Sequence, residues 1–415
     1  MKKNKLLFFI FISVIALYGI FLYISDIYFE HKKELVIKNK LSKMETHYKI
    51  FQHNLTSFAD YIFNDKIYKD TIVEIISNAS NTNDKKTISE LRTKLYEKLK
   101  GHYSYLKSQG VLQYHFVLTN NISFLRMHKP SKYGDDLTNI REDYKYVNEH
   151  KKISRGFSHG RVAHGFRNVY PLFDKKGNHI GAMEVSFSTE KLAEHLKSLS
   201  GIHSHFIIRK DIFEEKAWDR KDMVLKYRTS KENKNYMMHV FNKNKHLVQE
   251  DNLKSIAKVK NQIDQKLKLN EKFSVFTFEN YQSMIITFYP IKQNITKKTV
   301  AWVVSYENSN VIDQVIRNSS YIKILIFFLF LSMGFIVYKY LLQNIKLNDR
   351  SRQLHNKTQE QEVLLSLFDK GDSVLFKWKN DQKWSVEYVS LSISDLLEYD
   401  VDDFLKTKPL WTESP

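Results

Sequence analysis

Between residues 126 and 184 the chain gathers side chains able to hold an ion: Arg126, His128, Asp136, Arg161, Arg167, Tyr170 and Glu184. Guanidinium groups grip carboxylates and phosphates through paired N–H donors, and a carboxylate beside a phenol completes a set that can read a small charged molecule. Strand alternation sorts these groups by face. In the run from Ile180 to Phe187, Met183, Val185 and Phe187 share one side and Glu184 takes the other. A strand earlier, Phe124, Arg126 and His128 share a side, before turns at Lys129-Pro130 and Gly134-Asp135-Asp136, and Arg161 and Arg167 bracket Gly165. Two arrangements fit. The seven surround a pocket whose ligand supplies one of the charges, or Arg to Asp or Glu pairs brace a loop among themselves. Neither breaks bonds: no nucleophile stands with a base oriented by a third group, so no catalytic residue is assigned and the chain reads as a non-enzyme. Zero Cys removes thiol chemistry and thiolate metal sites. His203 and His205 share one side of a strand and His159 and His164 lie close in sequence, but no third ligand follows at a recognisable spacing. No metal and no cofactor are expected.

The elements that must carry these groups can be read around them. The clearest is a hairpin: Val169 to Phe173, a turn at Asp174-Lys175-Lys176-Gly177-Asn178, and a return strand His179 to Ser188, with Gly177 supplying a positive φ. Short β-rich runs at Gln113 to Leu118 and Ile122 to Met127 precede it, so a sheet begins there. Shifted by 119 residues the hairpin recurs without a gap: Tyr170-Pro171 falls on Tyr289-Pro290, Ala182 on Ala301, and Val185-Ser186-Phe187 on Val304-Ser305-Tyr306. On that offset Trp302, Val304 and Tyr306 match the Met183 side, and Val303 stands where Glu184 does. The next helix recurs as well, Thr189 leading Leu192 and Leu196 as Asn308 leads Val311 and Val315, so two mixed α/β modules stand in tandem. Upstream, Ile37, Leu41, Met44, Tyr48, Phe51, Leu55, Phe58 and Ile62 alternate spacings of 4 and 3, a helical seam. It packs on its own domain or on a second copy, and a homodimer is expected. A further amphipathic helix carries Ile88, Leu91, Leu95 and Leu99.

From Leu6 to Ser25 the chain runs 20 residues without a charge, enough at ~1.5 Å per residue to cross a hydrocarbon layer of ~30 Å. A cleaved signal peptide has a shorter apolar core, so an uncleaved anchor is expected. A second span is expected at residues 321–342, with Lys323 and Lys339 placed to reach the headgroups. Lys2, Lys3 and Lys5 before the first span, and Lys346, Arg350, Arg352 and Lys357 after the second, put both termini in the cytoplasm and residues 27–320 in the periplasm of an inner-membrane protein. The net charge of +19 therefore does not mark a nucleic-acid binder, because most of its basic residues lie across the bilayer. An apolar fraction of 42% excludes disorder, and 12 Gly with 5 Pro exclude collagen-like and linker-rich chains.

The stretches SFLRMHKPSKYGDDLTNIR (Ser123 to Arg141) and GRVAHGFRNVYPLFDKKGNHIGAMEVSFS (Gly160 to Ser188) resemble the membrane-distal half of a double Cache domain, of the double sensory domain type found in bacterial sensor kinases, diguanylate cyclases and chemoreceptors. The resemblance covers residues 35–318. It implies an α+β fold of two tandem Cache (PAS-like) modules with a long N-terminal helix, flanked by two transmembrane helices, that binds a small, possibly charged ligand and signals inward. The tail from Ser366 through Trp378 and Trp384 to Ser390, with Leu396 to Asp400 and Asp402 to Leu405, resembles the opening half of a PAS domain. The expected organisation is a cytoplasmic N-terminus at 1–5, a span at 6–25, a long helix at 27–66, a distal module at 67–200, a proximal module at 201–318, a span at 321–342, a linker helix at 343–365 and a truncated PAS domain at 366–415. The alternative is the N-terminal fragment of a membrane-bound diguanylate cyclase or histidine kinase.

Overall fold

The computed structural model describes residues 2–159, 164–215, 227–239, 250–279, 281–380 and 384–406. The chain divides into two compact units, residues 25–321 and residues 1–24 with 322–415.

Helix α1 (Lys2–Ile62) supplies the larger unit's spine, followed by a π-helical turn (Phe63–Ile67), α2 (Asp70–Ser80) and α3 (Lys85–Ser108). α3 starts where Asp84 accepts the Thr87 N–H at 2.9 Å, satisfying a donor that the helix cannot pair internally. The seam on α1 is answered from within the chain. Met44, Tyr48, Phe51 and Ile62 are buried, and Leu55 and Phe58 pack partly buried, against the unit's own two sheets. Leu95 and Leu99 of α3 are buried with them, joined by Tyr103 and Leu106.

The first sheet has the order β2-β1-β5-β4-β3, built from β1 (Val111–Val117), β2 (Ser123–Arg126), β3 (Ser154–His159), β4 (His164–Phe173) and β5 (His179–Ser188), with α4 (Glu142–His150) between β2 and β3. The second uses β6 (His203–Arg209), β7 (Tyr227–Thr229), β8 (Tyr236–His239), β9 (Phe273–Glu279), β10 (Gln282–Lys292) and β11 (Thr299–Asn308) in the order β7-β8-β6-β11-β10-β9. With β7 set aside, the two orders are the same. The repeat visible as one hairpin thus extends to a whole antiparallel sheet, and this part of the chain is two tandem Cache-like modules behind a long helix.

The register corrects the expected alignment. Tyr170 pairs with Met183, but Tyr289 pairs with Val303, not Trp302. The first hairpin closes at Phe173 and His179 and the second at Lys292 and Thr299, so the second turn is one residue longer. One extra residue moves every following side chain to the opposite face. Met183, Val185 and Phe187 accordingly pack with α2 and α3, whereas Trp302 and Val304 turn away from α1 toward the helix Glu250–Leu267, and Val303 faces the α1 side. By cross-strand pairing the counterpart of Glu184 is Val304, and that of Arg167 is Ile286.

The modules share an apolar cluster that joins Phe157 and Phe166 to Phe206 and Ile291, and polar bonds tie one strand and α4 of the first to a turn of the second. Asn294 N–H donates to the Phe157 carbonyl at 2.8 Å, Asn294 Nδ2 to Ser154 Oγ at 2.9 Å, and Gln293 Nε2 to Glu142 Oε2 at 2.8 Å. Gly156 permits this approach: its φ is +131°, and a Cβ there would stand 3.2 Å from Asn294 Cβ. At the unit's exit, Lys40 Nζ on α1 bonds Glu307 Oε2 on β11, and Asp313 Oδ1 accepts the Ser283 N–H at 2.7 Å.

In the smaller unit, α1 and the helix Asn310–Asp369 each contain a segment long and apolar enough to cross a membrane, and neither segment is covered by protein. A core helix of a soluble domain would be covered. Tyr18 and Phe21 set their rings 5.7 and 5.6 Å from Phe330. Near the C-terminus, Phe376–Trp378 and Val386–Val389 pair antiparallel, followed by short helices Ser392–Leu397 and Val401–Lys406 around Val389, Ile393 and Phe404.

Candidate functional site

The first sheet presents its apolar face to α1, α2 and α3, and its other face carries charge. Glu184 is 0% exposed and Arg167 1% exposed on adjacent strands there. Arg167 Nη1 bonds Glu184 Oε1 directly and donates to Gln113 Oε1 at 2.8 Å. Arg141, delivered by the turn before α4, donates from Nη2 to Glu184 Oε2 at 2.7 Å and holds Asp143 through two bonds of 2.9 and 2.8 Å. Tyr144, on the first turn of α4, donates its hydroxyl to Glu184 Oε2 at 2.6 Å and lies 2.9 Å from His115 Nδ1, while His115 Nε2 lies 2.9 Å from Ser123 Oγ. Val147 on the next turn of the same helix seats α4 against Val117, Val169 and Ala182.

Burial alone would raise the Glu184 carboxyl, but Arg141, Arg167, His115 and the Tyr144 hydroxyl overcome it and hold the group well below the usual carboxylate range. Burial and then the Arg126 guanidinium push His115 well below its usual value, so it stays neutral. His128, whose ring centroid is 6.5 Å from that of His115, is lowered to about 4 by desolvation and by Arg126, Arg167 and Arg141, against the opposing pull of Glu184. It keeps an exposed surface, so burial weighs less for it than for the sealed His115.

The seven expected residues fare differently. Arg167 and Glu184 meet at the centre, and Arg126 and His128 stand at its edge. Arg126 is clamped by Asp135, Nη1 to Oδ1 at 2.7 Å and Nη2 to Oδ2 at 2.8 Å, and also donates to the Lys132 carbonyl at 2.8 Å. Asp136 does not join: it is exposed, and its Oδ1 accepts the Thr138 N–H at 2.8 Å, a local turn bond. Tyr170 belongs to the opposite face, stacked on Phe63 at 4.4 Å with its hydroxyl donating to Asp60 Oδ1 at 2.8 Å. It falls there because it pairs with Met183, one position from Glu184. Arg161 lies outside the described residues. His115, Arg141, Asp143 and Tyr144 complete the network without having been anticipated. Arg141 closes the first quoted stretch, and the Tyr144 and Val147 spacing marks the buried face of α4, which was the available signal.

Among the described residues three cations (Arg126, Arg141, Arg167) meet three carboxylates (Asp135, Asp143, Glu184), so these charges balance one another. Bonding capacity remains on its sheet side: Ser186 Oγ, buried in the position paired with Arg167, has no partner among the described residues. The second sheet has nothing comparable at these positions, since Ile286 and Val304 are both in an apolar cluster. Among the described residues no group of three or more His, Asp or Glu side chains is spaced to hold a metal.

Residues 52–240 match the family described as the double sensory domain of two-component sensor kinase, a sensory domain of the Cache type. No curated protein sequence matches the chain. Among solved structures, a domain described as that of a sensory box/GGDEF family protein from Vibrio parahaemolyticus is 12% identical, covering 67% of this chain and 98% of that one with a TM-score of 0.36. The ligand-binding domain of the Campylobacter jejuni chemoreceptor Tlp3, in complex with L-valine, is 13% identical, covering 68% of this chain and 96% of that one with a TM-score of 0.36.

Proposed function

We propose that the chain is an inner-membrane sensor whose first Cache module binds a small polar ligand between its charged sheet face and α4, and whose two long helices carry the signal to the cytoplasm. The observation that carries this reading is the sealed network of Glu184 with Arg141, Arg167 and Tyr144 beneath α4. Beside the apolar seat of Val147, it joins a helix and a turn to the sheet through polar bonds, which a ligand can exchange for its own at small net cost. Arg126, His128, Gln113 and Ser186 are the groups assigned to the ligand, and Arg161 remains part of the proposal from its place in the sequence.

The remaining assignments rest on sequence and on the helices. Residues 27–320 are assigned to the periplasm and both termini to the cytoplasm, from the lysines and arginines flanking the two apolar segments. The active form is assigned as a homodimer. The strand pair and two short helices after Asp369 are assigned to the opening of a PAS domain feeding a downstream output, such as a diguanylate cyclase or histidine kinase. No catalytic role falls to this chain.

A thermal-shift screen of small polar compounds on the full chain in detergent micelles tests the reading, since a ligand that binds only the folded state raises its midpoint. A hit should lose its shift in Arg126→Ala and in Ser186→Val. A hit unaffected by both places the site elsewhere.

A further inference from the structure

The second module holds a cavity that the reading above does not use. It measures about 830 Å³ and opens between the β6 and β8 ends of the second sheet and the helices Lys210–Glu215 and Glu250–Leu267. Sites for small molecules commonly span ~300 to 1,000 Å³. Five cations line it against three carboxylates, and some of these charges already answer each other. Arg209 Nε donates to Asp211 Oδ1 at 3.1 Å, and Lys210 Nζ lies 3.7 Å from Glu214. Lys234, Lys260 and Lys268 have no carboxylate partner among the described residues; Lys260 Nζ reaches only the Glu232 carbonyl, at 3.3 Å. Asp264 stands four residues from both Lys260 and Lys268 yet turns to Asn233 Nδ2 at 2.7 Å. These three ammonium groups are exposed to solvent around one cleft, and their combined positive field attracts an anion there.

A neutral donor points the same way. Tyr236, 8% exposed, lines the cavity and accepts the Trp302 indole N–H at 3.3 Å, so its own hydroxyl hydrogen keeps the capacity to donate. We propose that this cleft binds a small free dianionic oxyanion, a phosphate or a dicarboxylate, held by the ammonium groups of Lys234, Lys260 and Lys268 and the Tyr236 hydroxyl. Lys234 sits on the turn into β8, whereas Lys260 belongs to the helix that packs on the sheet through Ile256, Val259, Ile263 and Leu267. The anion would fasten that helix to the turn.

The test uses the full chain in neutral detergent, with thermal unfolding followed at constant ionic strength in chloride, inorganic phosphate or succinate. Phosphate, succinate or both should raise the midpoint above that in chloride. The triple variant Lys234→Ala/Lys260→Ala/Lys268→Ala should weaken the apparent affinity by about tenfold or more, the scale of losing charge-assisted contacts. Lys85→Ala/Lys86→Ala, exposed lysines on α3, should keep the response, and Tyr236→Phe should reduce it several-fold by the loss of one donor. Three results would overturn the proposal: no response to either anion, an undiminished response in the triple variant, or a response only to micelles doped with phosphatidylglycerol, which would assign the cleft to a lipid headgroup.

Discussion

The sister sheet supplies the perturbation that tests the charged network most sharply. Where the first sheet has Arg167 and Glu184, the second has Ile286 and Val304, so Arg167→Ile with Glu184→Val grafts one module's solution into the other. Glu184→Val alone takes the carboxylate away from Arg167, 1% exposed, and from the Tyr144 hydroxyl, and breaking a buried ion pair from one side costs about 3–5 kcal/mol. Arg167→Ile alone strands less, because Glu184 keeps Arg141 and Tyr144, so about 2–3 kcal/mol follows from one lost charged bond. The double variant removes both partners, and Arg141 still holds Asp143 through two bonds. Its cost should fall at least about 2 kcal/mol short of the sum of the singles. Urea titrations read by hydrogen exchange over residues 164–188 would report the first sheet rather than the whole chain. Single-variant costs that add to within about 0.5 kcal/mol would refute the buried pair as the organising contact.

Other consequences are checked more quickly. Because Glu184 titrates below its ordinary value of 4.5 in the folded chain, its contribution is complete above about that pH and is lost as the pH falls toward the folded value. Protection of residues 164–188 from hydrogen exchange, corrected for the intrinsic amide rate, should therefore fall below about pH 4.5 in the wild type, with a shallower slope in the double variant; equal slopes contradict the assignment. Asp135→Ala should free the Arg126 guanidinium and cost about 1–3 kcal/mol, while Asp136→Ala should cost under about 1 kcal/mol, measured by urea midpoints; the reverse order would restore Asp136 to the site. Tyr170→Phe should keep the stack on Phe63, lose about 1 kcal/mol and leave binding of any screened ligand unchanged by calorimetry. Gly156→Ala should strain the joint between modules by about 1–3 kcal/mol and raise exchange at residues 293–294; an unchanged rate there would mean the contact is incidental.

The two apolar segments, the α1 seam and the duplicated hairpin were legible because each is a pattern carried by the order of residues along the chain: an uncharged run, a spacing of 4 and 3, and a match at a fixed offset. The failures share one cause, which is that a side chain's face depends on counting residues through a turn. Tyr170 was grouped with Glu184 although their strands pair one position apart, and the second hairpin was aligned without its extra turn residue. Asp135 and Asp136 are neighbours in a turn, where no alternation rule says which one reaches Arg126. Arg141 and Tyr144 join Glu184 across more than 39 positions, a contact created by the return of α4 over the sheet and invisible to any short window.

Lys40 and Glu307 lie where the polypeptide enters and leaves the larger unit, and their bond closes that unit into a ring. Sliding one strand of such a ring past the other must either drag both ends together or open the clasp. A single, partly buried pair of this kind is worth on the order of 1 kcal/mol, so it opens more easily than the packed core around it.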